Sequence, residues 1–208
     1  MIDNFWVFAL TGLLLNLTPG SDMLYIIARS SGQGIKAGIV SALGIGAGCL
    51  VHIMAAVVGL SALIAQSALA FDIIKYIGAA YLIYLGVKSV LSKKKSLIIH
   101  NRLEQLSLRK VFWQGVLTNV LNPKVALFFL AFLPQFIDIT KDNTPLQIFF
   151  LGMWFDVVGT IVNILVALLF GKIGAWLSKS PVFIKWQERI TGVILIGLGI
   201  KMALSSKK

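Results

Sequence analysis

The chain has 208 residues, 58% of them hydrophobic and 13% charged, with a formal net charge of +11. A soluble globular domain is roughly 25% charged, so this composition excludes a water-soluble fold and indicates an integral membrane protein. One cysteine rules out an internal disulfide, and Cys49, His52 and His100 do not make a zinc cluster, so no metal or other cofactor is expected.

Six apolar segments follow one another: approximately Phe5–Ile27, Ala37–Ala65, Phe71–Val90, Val111–Ile137, Leu146–Phe170 and Val182–Leu204. Each reaches the roughly 20 residues that cross a bilayer core. The first is read as a structural span rather than a signal peptide, because no Lys or Arg precedes it and no small-residue cleavage site follows. The sixth is the weakest. Its start, VFIKWQERI, is amphipathic, and its continuous apolar core runs only from Ile190 to Ile200. The expected fold is all-α, a polytopic membrane protein of six transmembrane helices.

The basic residues lie between these segments, which sets orientation and gives no sign of nucleic-acid binding. Arg29 and Lys36 follow the first segment. Lys93, Lys94, Lys95, Arg102, Arg109 and Lys110 follow the third. Lys172 and Lys179 follow the fifth. The other side has Lys141 and the tail residues Lys207 and Lys208. The positive-inside rule places the three basic loops in the cytoplasm and both termini outside. The chain reads as one transporter domain, 1–208: a first repeat of about 1–91, a basic loop at 92–110 and a second repeat of about 111–208. YLGVK (Tyr84–Lys88) and GLGIK (Gly197–Lys201) end corresponding segments, and the first and fourth segments both break at a proline. Three spans per half is an odd number, so the second repeat is inverted, a transporter pattern.

The breaks are the chemical centre of the reading. Pro19 takes the hydrogen-bond partner from the Leu15 carbonyl, and Pro123 takes it from the Asn119 carbonyl. Broken backbone is tolerated in a membrane only where protein or a watery cavity satisfies it. Asn16, Thr18 and Ser21 flank the first break; Thr118, Asn119 and Asn122 flank the second. Thr18 and Asn122 each precede the proline, as an N-cap does. Each second half-helix then starts at mid-membrane with free N–H groups, which suit a carboxylate. Lys124 adds a positive charge, and Asp22 can hold an ammonium group. The expected substrate site is therefore Asn16, Thr18, Pro19, Gly20 and Asp22 with Asn119, Asn122, Pro123 and Lys124.

In the fifth segment Gly152, Asp156, Gly159 and Asn163 share one helical face. Small residues pack helices, but an ionisable group at that depth needs a partner. Lys124 is the expected partner, and Asp156 the candidate for coupling transport to protons. His52 is a second candidate, on a face with Ser41, Gly44, Gly48 and Gly59; a packing role suits it equally. Asp72 and Lys75 read as an interfacial pair. Gly34/Gly38 and Gly44/Gly48 permit a homodimer and fit packing within one chain equally well.

At these residues a resemblance appears. LNLTPGSDMLYIIARSSGQGIKAGIVSALGIGAG, with GVLTNVLNPKVALFFLAFLPQFI, resembles the LysE/RhtB family of amino-acid exporters over essentially the whole chain. The resemblance implies a bacterial inner-membrane exporter driven by the proton gradient. Ser21 stands where the family usually has a second proline, and Cys49 where many members have Asp. KVALFFL lacks the acidic residue of the lysine and arginine exporters. These departures favour neutral substrates of the homoserine, threonine or leucine type. The implied partners are an amino acid, protons and membrane lipid. Alternatives are a carrier of another small metabolite or a cation, and a membrane-embedded enzyme.

Overall fold

The computed structural model describes residues 5–60, 68–91, 105–138, 143–177 and 181–204. Most of the basic loop, Lys141 and the tail lysines lie outside these residues, as do the side chains of Asp72, Lys75 and Lys201. The described residues are helical, with no strand among them.

The first apolar segment is two helices, α1 (Phe5–Leu17) and α2 (Ser21–Gln33), meeting at a 49° bend. Gly34, with φ +91°, turns the chain directly into α3 (Ile35–Ala55), which ends in a π-helical turn, Ala56–Leu60. Then come α4 (Ala68–Val90), α5 (Leu108–Val120) and α6 (Pro123–Leu127). α6 continues as a π segment, Phe128–Phe132, and a 3-10 turn, Leu133–Phe136, and the α5 to α6 bend is 45°. α7 (Thr144–Leu177) and α8 (Pro181–Leu204) complete the fold.

Among the described residues, two helices are long and apolar enough to cross a bilayer, Ile35–Gly59 and Thr144–Lys172; counting each bent pair as one span gives up to four. That is fewer than the six expected from the sequence. The apolar part of α4 is only Tyr76–Val90, and α8 opens with Lys185, Glu188 and Arg189 before its apolar stretch.

The exterior is apolar in stripes. Trp113 and Leu117 on α5 with its C-cap Leu121, and Val157, Ile161 and Leu165 on α7, recur every four residues and are all exposed, the surface a helix offers to lipid. The interior holds an aromatic cluster. Phe8, Phe128, Phe129, Phe132, Phe136 and Phe155 pack together, with the Phe128 and Phe155 rings 4.1 Å apart.

Gly44 and Gly48 of α3 face α5. A Cβ on Gly44 would collide with the Phe112 carbonyl oxygen, one on Gly48 would lie 2.7 Å from the Val116 oxygen, and one on Gly115 would lie 2.8 Å from the Ser41 oxygen. Gly44 and Gly48, one of the two pairs read as permitting a dimer, thus pack within the chain. Gly48→Ala should destabilise by about 1–3 kcal/mol through overpacking, read as a lower thermal midpoint of the purified protein.

A candidate substrate site between two helix breaks

At the first break Thr18, just past α1, bonds back to it. Its N–H bonds the Leu14 and Leu15 carbonyls at 3.0 and 3.1 Å, and its hydroxyl donates to the Leu14 carbonyl at 2.7 Å. It therefore does not cap α2, against the sequence expectation. Pro19 cannot extend the ladder, and α2 starts at Ser21 behind Gly20, whose extended backbone offers no side-chain cap. The second break follows the expectation. Asn122 Oδ1 accepts from the Lys124 N–H at 3.0 Å, with Pro123 at the first helical position.

Carbonyls at each break gain basic partners from other helices. Lys124 Nζ donates to the Thr18 carbonyl at 2.8 Å and the Leu15 carbonyl at 3.2 Å. His52 Nε2 lies 3.0 Å from the Asn119 carbonyl, which also accepts from the Asn122 N–H. His52→Ala should therefore lower stability by about 0.5–1.5 kcal/mol, the net worth of one hydrogen bond whose acceptor keeps its Asn122 N–H. His52→Gln, which keeps a donor, should lose less in the same thermal melt.

A side-chain bond joins the two breaks. Asn119 Nδ2 donates to Asp22 Oδ2 at 2.8 Å, and both residues are buried, at 2% and 8% exposure. The Asn119 Oδ1 is buried with no partner. Asn16 crosses from α1 to α7, donating to the Phe155 carbonyl at 3.1 Å. The charged neighbour of Lys124 is Asp22, not Asp156. Asp156 instead faces Cys49 and Thr160, so the expected Lys124–Asp156 pair does not form.

A small cavity of about 30 Å³ lies between the breaks, room for roughly two waters. Six of the expected residues line it: Asn16, Thr18, Asp22, Asn119, Lys124 and Asp156. Pro19, Gly20, Asn122, Pro123 and His52 do not; they shape the breaks behind it. The sequence reading did not single out Met23, Ile45, Val125, Phe155 and Thr160 as lining residues. Each looks like ordinary helix filling until the helices are packed together. Cys49 also lines the cavity.

Beyond the cavity, α2 is tied to α5. The Tyr25 hydroxyl donates to the Val111 carbonyl at 2.8 Å, and Arg29 donates to Gln114 Oε1 at 3.0 Å. Gln33 donates to the Leu106 carbonyl. Among the described residues, no group of His, Cys, Asp and Glu is gathered to hold a metal.

Residues 13–206 match the family model for the LysE type translocator. An uncharacterized membrane protein of Bacillus subtilis is 33% identical over 200 residues, covering 92% of this chain and 94% of its own. The homoserine/homoserine lactone efflux protein of Salmonella typhimurium is 33% identical over 200 residues, covering 95% of this chain and 96% of its own. The leucine efflux protein of the same organism is 26% identical over 200 residues, covering 96% and 94%. No solved structure matches. With the family model covering nearly the whole chain and relatives at one third identity end to end, the chain belongs to the LysE type translocator family.

Proposed function

We propose that the protein is a secondary transporter that exports neutral amino acids of the homoserine, threonine or leucine type across the cytoplasmic membrane, coupled to protons. The observation that carries this reading is the mixed lining of the cavity. Asp22, Asn119 and Lys124 offer opposite charges and an open acceptor, and Met23, Ile45, Val125 and Phe155 offer an apolar wall. A zwitterion with a small uncharged side chain needs that combination. Its carboxylate goes to Lys124 and the uncapped start of α2. Its ammonium goes to Asp22 and Asn119 Oδ1, and its side chain to the apolar wall. The names of the efflux relatives support the same substrate class.

The carrier works as two inverted three-helix repeats, with the first and fourth spans broken and both termini outside. The packing order supports this: α3 lies on α5 as α7 lies on α1, while α3–α7 and α4–α8 pair across the halves. Asp156, beside the cavity and away from Lys124, is the group that takes up the coupling proton.

Cells loaded with a panel of dipeptides, with and without the protein, provide the test. Faster release of one or two neutral amino acids, abolished by an uncoupler, is expected. Release unchanged across the panel, with the protein shown to be in the membrane, would overturn the substrate class.

A further inference from the structure

Lys124 does more than add charge to the cavity. Its ammonium sits on the Leu15 and Thr18 carbonyls at 3.2 and 2.8 Å. These belong to the end of α1, the negative pole of that half-helix. Pro19 removes the donor four residues on that Leu15 would have met, and leaves it the Thr18 N–H at 3.1 Å within the helix. Asp22, in the first turn of α2, lines the same cavity as the ammonium and is the carboxylate whose charge acts on it. Two carbonyls at an unwound helix end, with a carboxylate close by, have the donor set by which discontinuous membrane helices hold Na+.

The approach is shaped for the lysine. Asn122 and Pro123 fix the turn that carries it. The stem passes beside Gly20, where a Cβ would lie 3.3 Å from Nζ. The other ionisable groups around this cavity are Asp156 from α7 and Cys49 from α3, and neither bonds the ammonium. At the second break, His52 from α3 serves the Asn119 carbonyl. An ammonium has three N–H groups, and two are used here.

We propose that the Leu15 and Thr18 carbonyls form a monovalent-cation site whose resident is the Lys124 ammonium, so that the carrier holds a tethered cation where an exchangeable Na+ or K+ would sit. The third N–H points the same charge at the substrate carboxylate; this last step rests on the proposed transport function. The cation then bridges helix end and substrate, and no dissolved Na+ is drawn into the cycle.

Lys124→Ala vacates the site and leaves its carbonyls in place. In thermal unfolding of the purified protein, Lys124→Ala should melt several degrees below wild type. Methylammonium or Na+ should raise its midpoint relative to the same concentration of choline, because a ligand of the folded state stabilises it. Wild type, with the site filled, should respond equally to all three. Lys124→Met, of similar length and with no donor for the carbonyls, gives the same comparison if the alanine variant does not insert. In counterflow of a labelled neutral amino acid by proteoliposomes, which needs no gradient, Lys124→Ala should fall at least tenfold and recover severalfold with methylammonium.

A vacated site indifferent to every cation in the melt overturns the proposal. So does wild-type counterflow that requires Na+, which decides the matter even if neither variant folds. Cation rescue in the melt with no counterflow of any amino acid by wild type would uphold the cation site and remove the transport reading.

Discussion

Asp22→Asn should reduce amino-acid export by about tenfold to a hundredfold while the protein still reaches the membrane. The expected size follows from a hydrogen bond to a charged group, about 1.5–3 kcal/mol, with each 1.4 kcal/mol a factor of ten. Asn keeps the shape and an oxygen for Asn119 Nδ2, which now meets Asp22 at 2.8 Å. What is lost is the negative charge facing the substrate ammonium and Lys124. The defect should appear as a raised half-saturation concentration in counterflow, with a thermal midpoint near that of wild type. Export at the original rate and affinity would show that the ammonium binds elsewhere.

Asp156→Asn should separate energy coupling from binding. Asp156 lines the cavity beside Cys49 and Thr160, and an amide preserves contact with both while carrying no exchangeable carboxyl proton. Concentrative export driven by an imposed proton gradient should disappear. Counterflow, which needs substrate passage and no net proton movement, should persist within about a few-fold of wild type. Gradient-driven accumulation surviving in the variant would assign the proton to another group. Loss of both activities would place Asp156 in substrate binding instead.

The two breaks were legible in the sequence because proline chemistry is local. TPG and NPK fixed where the helices end, and Asn122 caps α6 as its position before Pro123 suggested. Thr18 was misread because a threonine before proline can cap forward or bond backward. Here its hydroxyl reaches the Leu14 carbonyl and leaves Gly20 to open α2. The orphaned carbonyls were also foreseeable from proline, but not which side chains would meet them. Lys124 and Leu15 are joined only by folding, as are His52 and Asn119. The expected Lys124–Asp156 pair failed for the same reason: two charges on different helices carry no information about their separation. The apolar wall of Met23, Ile45, Val125 and Phe155 was invisible in a chain where most residues are apolar. The described helices give two spans, or four with each bent pair as one, because the apolar part of α4 is the short stretch Tyr76–Val90 and α8 opens with the amphipathic start that its sequence already showed.

The π turns at Ala56–Leu60 and Phe128–Phe132 lie against each other, and they hold a reserve of motion. A π turn accommodates one more residue than an α turn. Relaxing either one to α-helix releases that residue and rotates everything beyond it by about 100°, with a shift of about 1.5 Å along the axis. In the segment after α6, such a register change would swing the phenyl rings of Phe132 and Phe136 out of their contacts with Phe128 and Phe8. One end of the aromatic cluster would then come apart like a turned key, without a hinge loop and without unfolding the half-helix that carries Lys124.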